Sequence, residues 1–452
     1  MVEQVKNNLS EGRGQSLMYP WYIVSLCMVA YIFSFVDRQV ITLLIEPIKA
    51  DLGISDTQFS LLHGLAFAIL YATAGIPIAK MADTRSRPAI IAVGIFVWSL
   101  ATALCGLAKS FVQLFIARMA VGVGEAALSP AAYSMINDSF PKSKLGLALG
   151  VYSSGSFLGG GLALIIGGVA ISMLEQLGPQ HWPLIGLIKP WQMTFLIVGL
   201  PGILVAALFI ITVKDPERKG VAVDRTGDGE AITYSFADVL RYVRGHGKAF
   251  TAHYLGFALM AMALFALLNW APAYFLRKYD LPIRDVGLYL GLVVLVGNSA
   301  GVLVSGWLTD WLTRRDYQDA PLRAGMIGSI GIIVPAAMFS LVDGFGMSLA
   351  LLSVAMFFAS FPMATSAAAL QLMAPNQIRA QVTALFFLSM NFLGILGGTT
   401  LVALCTDFVF NDEAAVGYSM SVVSVSGAIG GALVLGLGLK AFARTHREVA
   451  NL

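Results

Sequence analysis

The sequence predicts an all-α membrane protein in which twelve transmembrane helices form two six-helix bundles related by pseudo-two-fold symmetry. Of the 452 residues, 57% are hydrophobic and only 12% are charged. Apolar runs of roughly twenty residues, the length that a helix needs to cross a bilayer, recur from Tyr22 almost to the C-terminus. A second observation, an internal repeat, divides these runs into two equivalent sets.

Proline, glycine and charged clusters divide the apolar runs into twelve predicted spans. They cover residues 20–46, 56–80, 88–108, 110–136, 144–173, 191–212, 249–276, 285–312, 323–343, 347–373, 379–409 and 415–443. The first span is far longer than a signal-peptide core and has no small-residue cleavage site, so we interpret it as the first transmembrane helix. Several spans exceed the length needed to cross, which predicts tilted helices.

The longest hydrophilic stretch separates spans six and seven. It divides the chain into an N-terminal bundle at 1–213, a cytoplasmic linker at 214–248 and a C-terminal bundle at 249–452. Within the linker we expect Ser235 to cap a short amphipathic helix, because four apolar residues after it share one face: Phe236, Val239, Leu240 and Val243. Such a helix suits the membrane interface between two bundles.

Two short sequence patterns occur in both halves, and nearly the same number of residues separates the two copies of each pattern. Residues 51–56 (DLGISD) precede span two and residues 280–285 (DLPIRD) precede span eight. An acidic-basic motif then follows each of these spans, with Asp83, Arg85 and Arg87 in the first copy and Asp310, Arg314 and Arg315 in the second. Parallel repeats of this kind are typical of carriers that rock two halves around a central site.

The distribution of Lys and Arg predicts the orientation. These residues concentrate in the loops on the side of the N-terminus, which places both termini in the cytoplasm of a multi-pass protein of the cell (inner or plasma) membrane. The motif residues contribute to that bias. They have a second interpretation as a conformational latch, in which Asp83 meets the start of span eleven near Asn376 and Asp310 mirrors it near Ser143.

Four charged residues lie deep inside predicted spans: Asp37 and Arg38 in span one, and Arg118 and Glu125 in span four. Each such charge costs about 2.5–3.5 kcal/mol on insertion scales, so it is kept mainly where it faces a polar cavity. Helical spacing places Arg118 and Glu125 on one face. We therefore predict a translocation site in which Arg38 and Arg118 bind substrate and Glu125, or else Asp37, carries a proton. The alternative is a static ion pair, either Asp37 with Arg118 or Arg38 with Glu125, that locks span one to span four.

The C-terminal half offers weaker candidates. Asn269 corresponds to the region of Arg38 in the repeat and is a third candidate for substrate binding, although hydrogen bonding between helices is an equal interpretation. No charge lies centrally in this half, which is rich in Phe and Met around 356–358 and 386–387. His63 and His253 lie near span ends, where we expect packing roles.

The motifs resemble the major facilitator superfamily over nearly the whole chain. The loop motif of that family begins with Gly four residues before its Asp; the second copy, 306–310 (GWLTD), is intact, whereas Ala79 replaces this Gly in the first. Within the superfamily, three segments resemble the spinster family: 35–38 (FVDR), 118–130 (RMAVGVGEAALSP) and 137–141 (NDSFP). Anion and sugar-acid symporters share the Asp-Arg pair.

The resemblance implies a lysophospholipid or sphingoid phosphate as substrate. We therefore expect a proton-coupled secondary active transporter of an anionic amphipathic lipid that works by alternating access. A small organic-anion or sugar-acid:proton symporter is the alternative carrier, and a receptor that retains the transporter fold is the alternative class. Membrane lipids, the anion and protons are the expected partners of a monomer.

Catalytic and nucleotide-dependent functions lack support in the sequence. It has no Walker motif, no nucleophile triad and no metal-ligand spacing, which predicts neither an enzyme nor a cofactor nor a metal site. The three cysteines have no paired spacing. A basic cluster interleaved with aromatic residues is also absent, so nucleic acid is not an expected partner.

Overall fold

The computed structural model describes residues 17–183, 185–218, 236–375 and 377–450, which are almost entirely helical. Twelve helices are long and apolar enough to cross a membrane, and we number them helix 1 to helix 12 in chain order. They are Met18–Leu52, Asp56–Ala82, Arg87–Cys105, Phe111–Ser139, Lys144–Leu177, Pro190–Thr212, Gly247–Tyr279, Ile283–Thr313, Ala320–Met338, Phe345–Met373, Gln381–Phe410 and Glu413–Ala450. The predicted number and order of spans are confirmed.

Two smaller elements lie outside the spans. A hairpin pairs β1, Gln180–Trp182, antiparallel to β2, Gly186–Ile188, between helices 5 and 6. The linker helix Phe236–Gly245 occupies the region predicted to be amphipathic. It rests on the C-terminal half, where Val239 is buried and the Tyr242 hydroxyl donates to the Met373 carbonyl at 2.8 Å. The predicted cap, Ser235, lies outside the described residues.

Local chemistry sets several helix ends. Serine side chains accept hydrogen bonds from backbone N–H groups in the first turn of helices 2, 3 and 4, at Ser55, Ser86 and Ser110. These caps satisfy donors that the helix itself leaves free. Helix 1 ends at Gly53, whose φ of +62° is a left-handed conformation that glycine adopts without steric cost.

Some helices depart from α-helical pitch in their interiors. Helix 1 tightens to a 3₁₀ segment at Val40–Leu44, directly after the Asp37-Arg38 pair. Helix 2 widens to a π segment at Leu61–Leu65, and helix 8 does the same at Val293–Asn298. Helix 11 contains two further π segments, Met390–Gly397 and Cys405–Phe410. Such irregular turns occur frequently at functional sites.

Glycines bring helices 5 and 8 into backbone contact. A Cβ atom on Gly161 would lie 2.9 Å from the Gly291 carbonyl oxygen, and one on Gly287 would lie 2.3 Å from the Leu164 carbonyl oxygen. We call this contact the helix 5–helix 8 seam. Earlier in helix 5, Gly159 packs equally closely against Ile32 of helix 1. The small side chains permit this approach of the helix backbones.

The two halves meet at one end of the molecule and separate at the other. We call the end of the molecule that carries the start of helix 1, the end of helix 12 and the linker helix the terminal face, and the opposite end the distal face. Near the distal face helix 1 contacts helix 7, and the start of helix 2 contacts helix 11. At the terminal face Leu128–Ser139 of helix 4 and Arg379–Ser389 of helix 11 pack mainly within their own halves. The cleft between the halves therefore opens at the terminal face.

Candidate substrate-binding site

The four ionisable residues predicted to form a site come together between helices 1 and 4. Arg38 Nε donates to Glu125 Oε2 at 2.6 Å, and Arg38 Nη2 lies 2.5 Å from the same oxygen. Ser34 Oγ donates to this oxygen as well, at 2.6 Å. Ser34 and Arg38 lie one turn apart on helix 1 and so share a face. Helix 1 therefore holds the Glu125 carboxylate from two positions.

Asp37 and Arg118 interact differently. Arg118 Nη1 donates to the backbone carbonyl of Asp37 at 3.3 Å, while the Asp37 carboxylate accepts from Thr102 Oγ1 at 3.1 Å. Of the two ion pairs that the sequence allowed, the structure forms Arg38–Glu125 and leaves Asp37–Arg118 without a direct side-chain contact. We call Asp37, Arg38, Arg118 and Glu125 the charge cluster.

His63 of helix 2 adjoins the charge cluster. Its Nε2 lies 3.2 Å from the carbonyl oxygen of Arg38. This carbonyl stands where helix 1 changes from α-helical to 3₁₀ pitch, which ends the regular i+4 hydrogen bonding and leaves carbonyl groups to side chains. The expectation that His63 only packs near a span end did not anticipate this contact.

Arg38 is the member of the cluster that solvent reaches. Its side chain is 19% exposed, whereas Asp37, Arg118 and Glu125 are each buried. The Arg38 guanidinium carbon lies 4.3 Å from the ring centre of Phe67 and 5.1 Å from those of Phe35 and Tyr71. Aromatic faces attract a cation and leave its N–H groups free for an anion. We call these three rings the aromatic frame.

Several buried polar atoms of the site lack a hydrogen-bond partner. They are Asp37 Oδ1, Arg118 Nε, Glu125 Oε1 and His63 Nδ1. Leaving a buried polar atom unpaired costs about 1–3 kcal/mol, so such atoms are rare where no function requires them. Their concentration here supplies both donors and acceptors for a polar ligand.

The first copy of the acidic-basic motif includes a buried anchor. Arg87 donates to Asp215 Oδ1 at 2.7 Å and to the Pro216 carbonyl at 2.5 Å, and it also pairs with Asp138. These contacts tie the start of helix 3 to the end of helix 4 and to the segment after helix 6. Arg85, in contrast, is exposed, and its carbonyl accepts from Arg218. Arg87 thus acts within the N-terminal half in this arrangement.

The predicted latch stays a prediction. The side chains of Asp83 and Ser143, and the whole of Asn376, lie outside the described residues. In the second copy, Asp310, Arg314 and Arg315 are exposed at the terminal face. The Asp310 carboxylate makes no hydrogen bond or ion pair with another described side chain, while the Arg315 guanidinium lies 3.8 Å from the Trp311 ring centre.

Asn269 bonds within the C-terminal half. Its Nδ2 donates to Thr399 Oγ1 at 2.8 Å, and Trp270 Nε1 donates to the Thr399 carbonyl at 2.9 Å. These bonds join helix 7 to helix 11, which is the helix-to-helix role that the sequence left open. Binding of substrate by Asn269 stays a prediction.

A second set of charges, centred on the buried side chains of Lys49 and Asp56, joins the halves at the distal face, and sequence reasoning missed it. Arg277 of helix 7 forms two parallel hydrogen bonds of 2.7 Å with both oxygens of Asp56, and its Nε bonds Glu46 at 2.8 Å. Lys49 Nζ bonds Asp56 at 2.5 Å and Glu413 at 2.8 Å. We call Glu46, Lys49, Asp56, Arg277 and Glu413 the distal charge network. Its only trace in the sequence was the repeated acidic segment that ends at Asp56.

Comparison with protein families decides the classification. Residues 27–399 match the model of the Major Facilitator Superfamily. The chain belongs to this superfamily. It is therefore a multi-pass membrane protein of a transporter family, as the spans and the acidic-basic motif predict.

The chain is similar in sequence to transporters of different kinds. It is 27% identical to an MFS-type efflux pump of Mycolicibacterium smegmatis, over 95% of this chain and 94% of the pump. It is 26% identical to a probable L-galactonate transporter of Escherichia coli (strain K12), over 70% of this chain and 67% of that transporter.

Among solved structures, the facilitator resembles a bacterial homologue of the human lysosomal transporter Spinster in an inward-facing, unoccupied conformation. The TM-score is 0.76 at 22% identity, over 97% of this chain and 99% of the other. The predicted resemblance to the spinster family is thus confirmed at the level of the fold.

Proposed function

We propose that this facilitator is a secondary active transporter that couples the movement of an anionic amphipathic lipid to protons. The observation that carries the proposal is the Arg38–Glu125 pair, in which a partly exposed guanidinium is bound to a carboxylate that is 0% exposed. Arginine binds phosphate and carboxylate through a planar set of donors, so an incoming anion competes with Glu125 for Arg38.

Competition for Arg38 links the anion to a proton. When all four members of the charge cluster are ionised, their formal charges cancel. An anion that draws Arg38 away leaves the buried Glu125 carboxylate without its cation, and a proton delivered to this carboxylate would remove the uncompensated charge. The loaded site then holds the anion and one proton together. Asp37, which is also buried, is the alternative proton carrier.

The surroundings favour an amphipathic anion. The aromatic frame adds apolar surface beside Arg38, and the C-terminal half places no ionisable residue in the irregular segment Met390–Gly397 of helix 11, which contacts helix 2. In the segments rich in Phe and Met, Phe387 is exposed, whereas Met356 and Phe386 are buried in ordinary packing. An anionic headgroup at Arg38 and a tail toward helix 11 fit this asymmetry.

A small sugar acid is the second candidate substrate. One relative is named as a probable L-galactonate transporter, and a carboxylate would meet Arg38 as readily as a phosphate does. Proteoliposomes with an imposed pH gradient, offered lysophosphatidic acid or galactonate, separate the two. We expect pH-driven accumulation of the lysolipid and little of the sugar acid. The reverse preference would establish the second candidate, and flux of neither compound would favour the receptor alternative.

We also propose that the terminal face is cytoplasmic, which makes this arrangement inward-facing. The measurement uses single cysteines in a cysteine-free background and a membrane-impermeant thiol reagent on right-side-out vesicles. Arg241→Cys on the linker helix should resist the reagent, and Lys278→Cys near the distal face should react, since both residues are exposed. The opposite pattern would invert the proposed orientation.

A further inference from the structure

We propose that His63 is a further substrate-binding residue, whose Nδ1 accepts a hydrogen bond from a hydroxyl group next to the anionic group of the substrate. The inference rests on the proposed function, because it concerns the same site. It adds a chemical requirement to that function: the substrate is a hydroxylated anion.

The position of His63 is the first argument. The π segment Leu61–Leu65 places this side chain against helix 1, where its Nε2 meets the Arg38 carbonyl at 3.2 Å. The preceding carbonyl, that of Asp37, accepts from Arg118 Nη1 at 3.3 Å. His63 and Arg118 therefore hold two consecutive carbonyl groups at the point where helix 1 changes pitch. Because these two carbonyl groups are consecutive, a group bound at Arg118 would lie beside the imidazole.

The hydrogen bond also fixes what Nδ1 offers. A backbone carbonyl only accepts, so Nε2 must carry the proton in its bond to Arg38. The neutral ring then presents Nδ1 as an acceptor with a free lone pair. This atom is buried and has no partner in the structure, although His63 as a whole is 7% exposed. An unpaired buried acceptor beside two arginines is a place for a ligand's donor.

The charges around His63 support an acceptor rather than a proton carrier. Helix 1 presents Arg38 and Asp37 to this region, and helix 4 presents Arg118 and Glu125. The segments of helix 11 that contact the π turn, Met390–Gly397 and Gly398–Leu404, contain no ionisable residue. The two guanidinium groups attract an anion, and the neutral imidazole adds an acceptor for a hydroxyl group of that anion.

His253 of helix 7 is a matched control. It is also buried, its Nε2 lies 2.9 Å from the Ser366 carbonyl, and its Nδ1 is also unpartnered. Its ring, however, packs between the rings of Phe257 and Phe386, with centroid distances of 5.0 and 4.7 Å. His253 thus shares the backbone bond and the burial of His63 but lies among apolar rings.

The test compares ligands that differ by one hydroxyl group. The probes are lysophosphatidic acid and its 2-deoxy analogue, and galactonate and its 2-deoxy analogue, measured as binding to purified full-length protein. We expect the wild type to bind the hydroxylated member of the preferred pair roughly tenfold more tightly, as one hydrogen bond to a buried acceptor allows. His63→Phe should bind both members with the weaker affinity, whereas His253→Phe should keep the wild-type ratio.

A second variant separates the loss of the acceptor from a loss of folding in His63→Phe. His63→Gln retains an amide N–H for the Arg38 carbonyl but places no acceptor where Nδ1 stands, so it should lose the discrimination as His63→Phe does. Equal affinities in the wild type, or a preserved ratio in both His63 variants, would overturn the inference and leave the proposed function standing. Binding of neither anion class by the wild type would overturn the proposed function and the inference with it.

Discussion

The charge cluster and the distal charge network both combine carboxylates with basic side chains, and they differ in how completely these groups are paired. In the network, every guanidinium nitrogen of Arg277 and both oxygens of Asp56 have partners. In the cluster, Asp37, Arg118 and Glu125 each keep one buried atom without a partner. A saturated set of charges is suited to holding two surfaces together, and an unsaturated set is suited to receiving a ligand.

Their places in the fold match this difference. The network joins helices 1 and 2 of one half to helices 7 and 12 of the other, so separation of the halves at the distal face must break it. The cluster lies within the N-terminal half, between helices 1 and 4. Movement of the two halves can therefore leave the cluster intact. The same movement changes whether the cluster is accessible from the terminal face or from the distal face.

The largest effect is expected from Asp56→Asn, which would show whether the network closes the distal face. Asp56 is buried and pairs with Arg277 and Lys49, and removing one partner of a buried ion pair costs roughly 3–5 kcal/mol. We expect a lower melting temperature and faster labelling of a cysteine at the buried position Ser60 by an impermeant thiol reagent.

The control for this variant is Asp285→Asn, at the position that corresponds to Asp56 in the sequence repeat. Asp285 makes no ion pair with another described residue, so labelling at position 60 should keep its wild-type rate. Equal labelling in the wild type and in Asp56→Asn would show that the network does not hold the distal face closed.

Glu125→Gln tests the functional side of the comparison. The amide imitates the protonated carboxyl group, so substrate binding should persist while accumulation driven by a pH gradient is lost. The measurement is uptake into proteoliposomes, with Glu175→Gln as the control because Glu175 is an exposed carboxylate on helix 5. Accumulation that still follows the gradient in Glu125→Gln would exclude this residue as the coupling site and transfer the role to Asp37.

Substitution of the two arginines by lysine tests whether the cluster binds an anion through planar sets of donors or through charge alone. Lysine keeps the charge but loses the planar set of donors, so Arg38→Lys and Arg118→Lys should each weaken anion binding roughly tenfold or more. Isothermal titration measures the affinity, and Arg284→Lys, on the exposed distal surface, is the control. Wild-type affinity in Arg38→Lys would mean that a point charge suffices, and wild-type affinity in Arg118→Ala would remove Arg118 from the site.

The smallest effects on stability are expected in the predicted latch. Asp310 is exposed and unpaired with described side chains, so Asp310→Asn should change the free energy of unfolding by less than about 0.5 kcal/mol. Asp83→Asn should instead shift the resting population toward opening at the terminal face, measured by thiol labelling of a cysteine in the cleft. Unchanged labelling in Asp83→Asn would reduce the motif to a topological signal.

The sequence predicted the features that depend on the length of apolar runs and on the cost of burying a charge. Run lengths gave twelve spans, and the expense of ionisable groups in a bilayer singled out Asp37, Arg38, Arg118 and Glu125. Ser34 could also have been found, since it lies four residues before Arg38 on the same helical face. These inferences need only local periodicity.

The remaining features depend on geometry that local patterns do not contain. The choice of Arg38 rather than Arg118 as the partner of Glu125 follows from how helix 1 rotates against helix 4 and where it changes pitch. His63 reaches the site through a π segment, which breaks the regular spacing used to read helix faces. The distal charge network joins three distant parts of the chain, 46–56, Arg277 and Glu413, and Arg87 becomes buried only when the segment after helix 6 covers it.

The helix 5–helix 8 seam bears on the path of a molecule with a long hydrocarbon tail. Toward the distal face the two backbones touch at Gly161 and Gly291, which leaves no width for an acyl chain between them. Toward the terminal face, Gly146 and Gly150 of helix 5 and Gly306 of helix 8 have no neighbouring atom within 4 Å of a Cβ position. A tail can then enter sideways from only one leaflet at a time. For the lipid substrate proposed above, each transport cycle would therefore transfer the molecule between leaflets and build lipid asymmetry across the membrane.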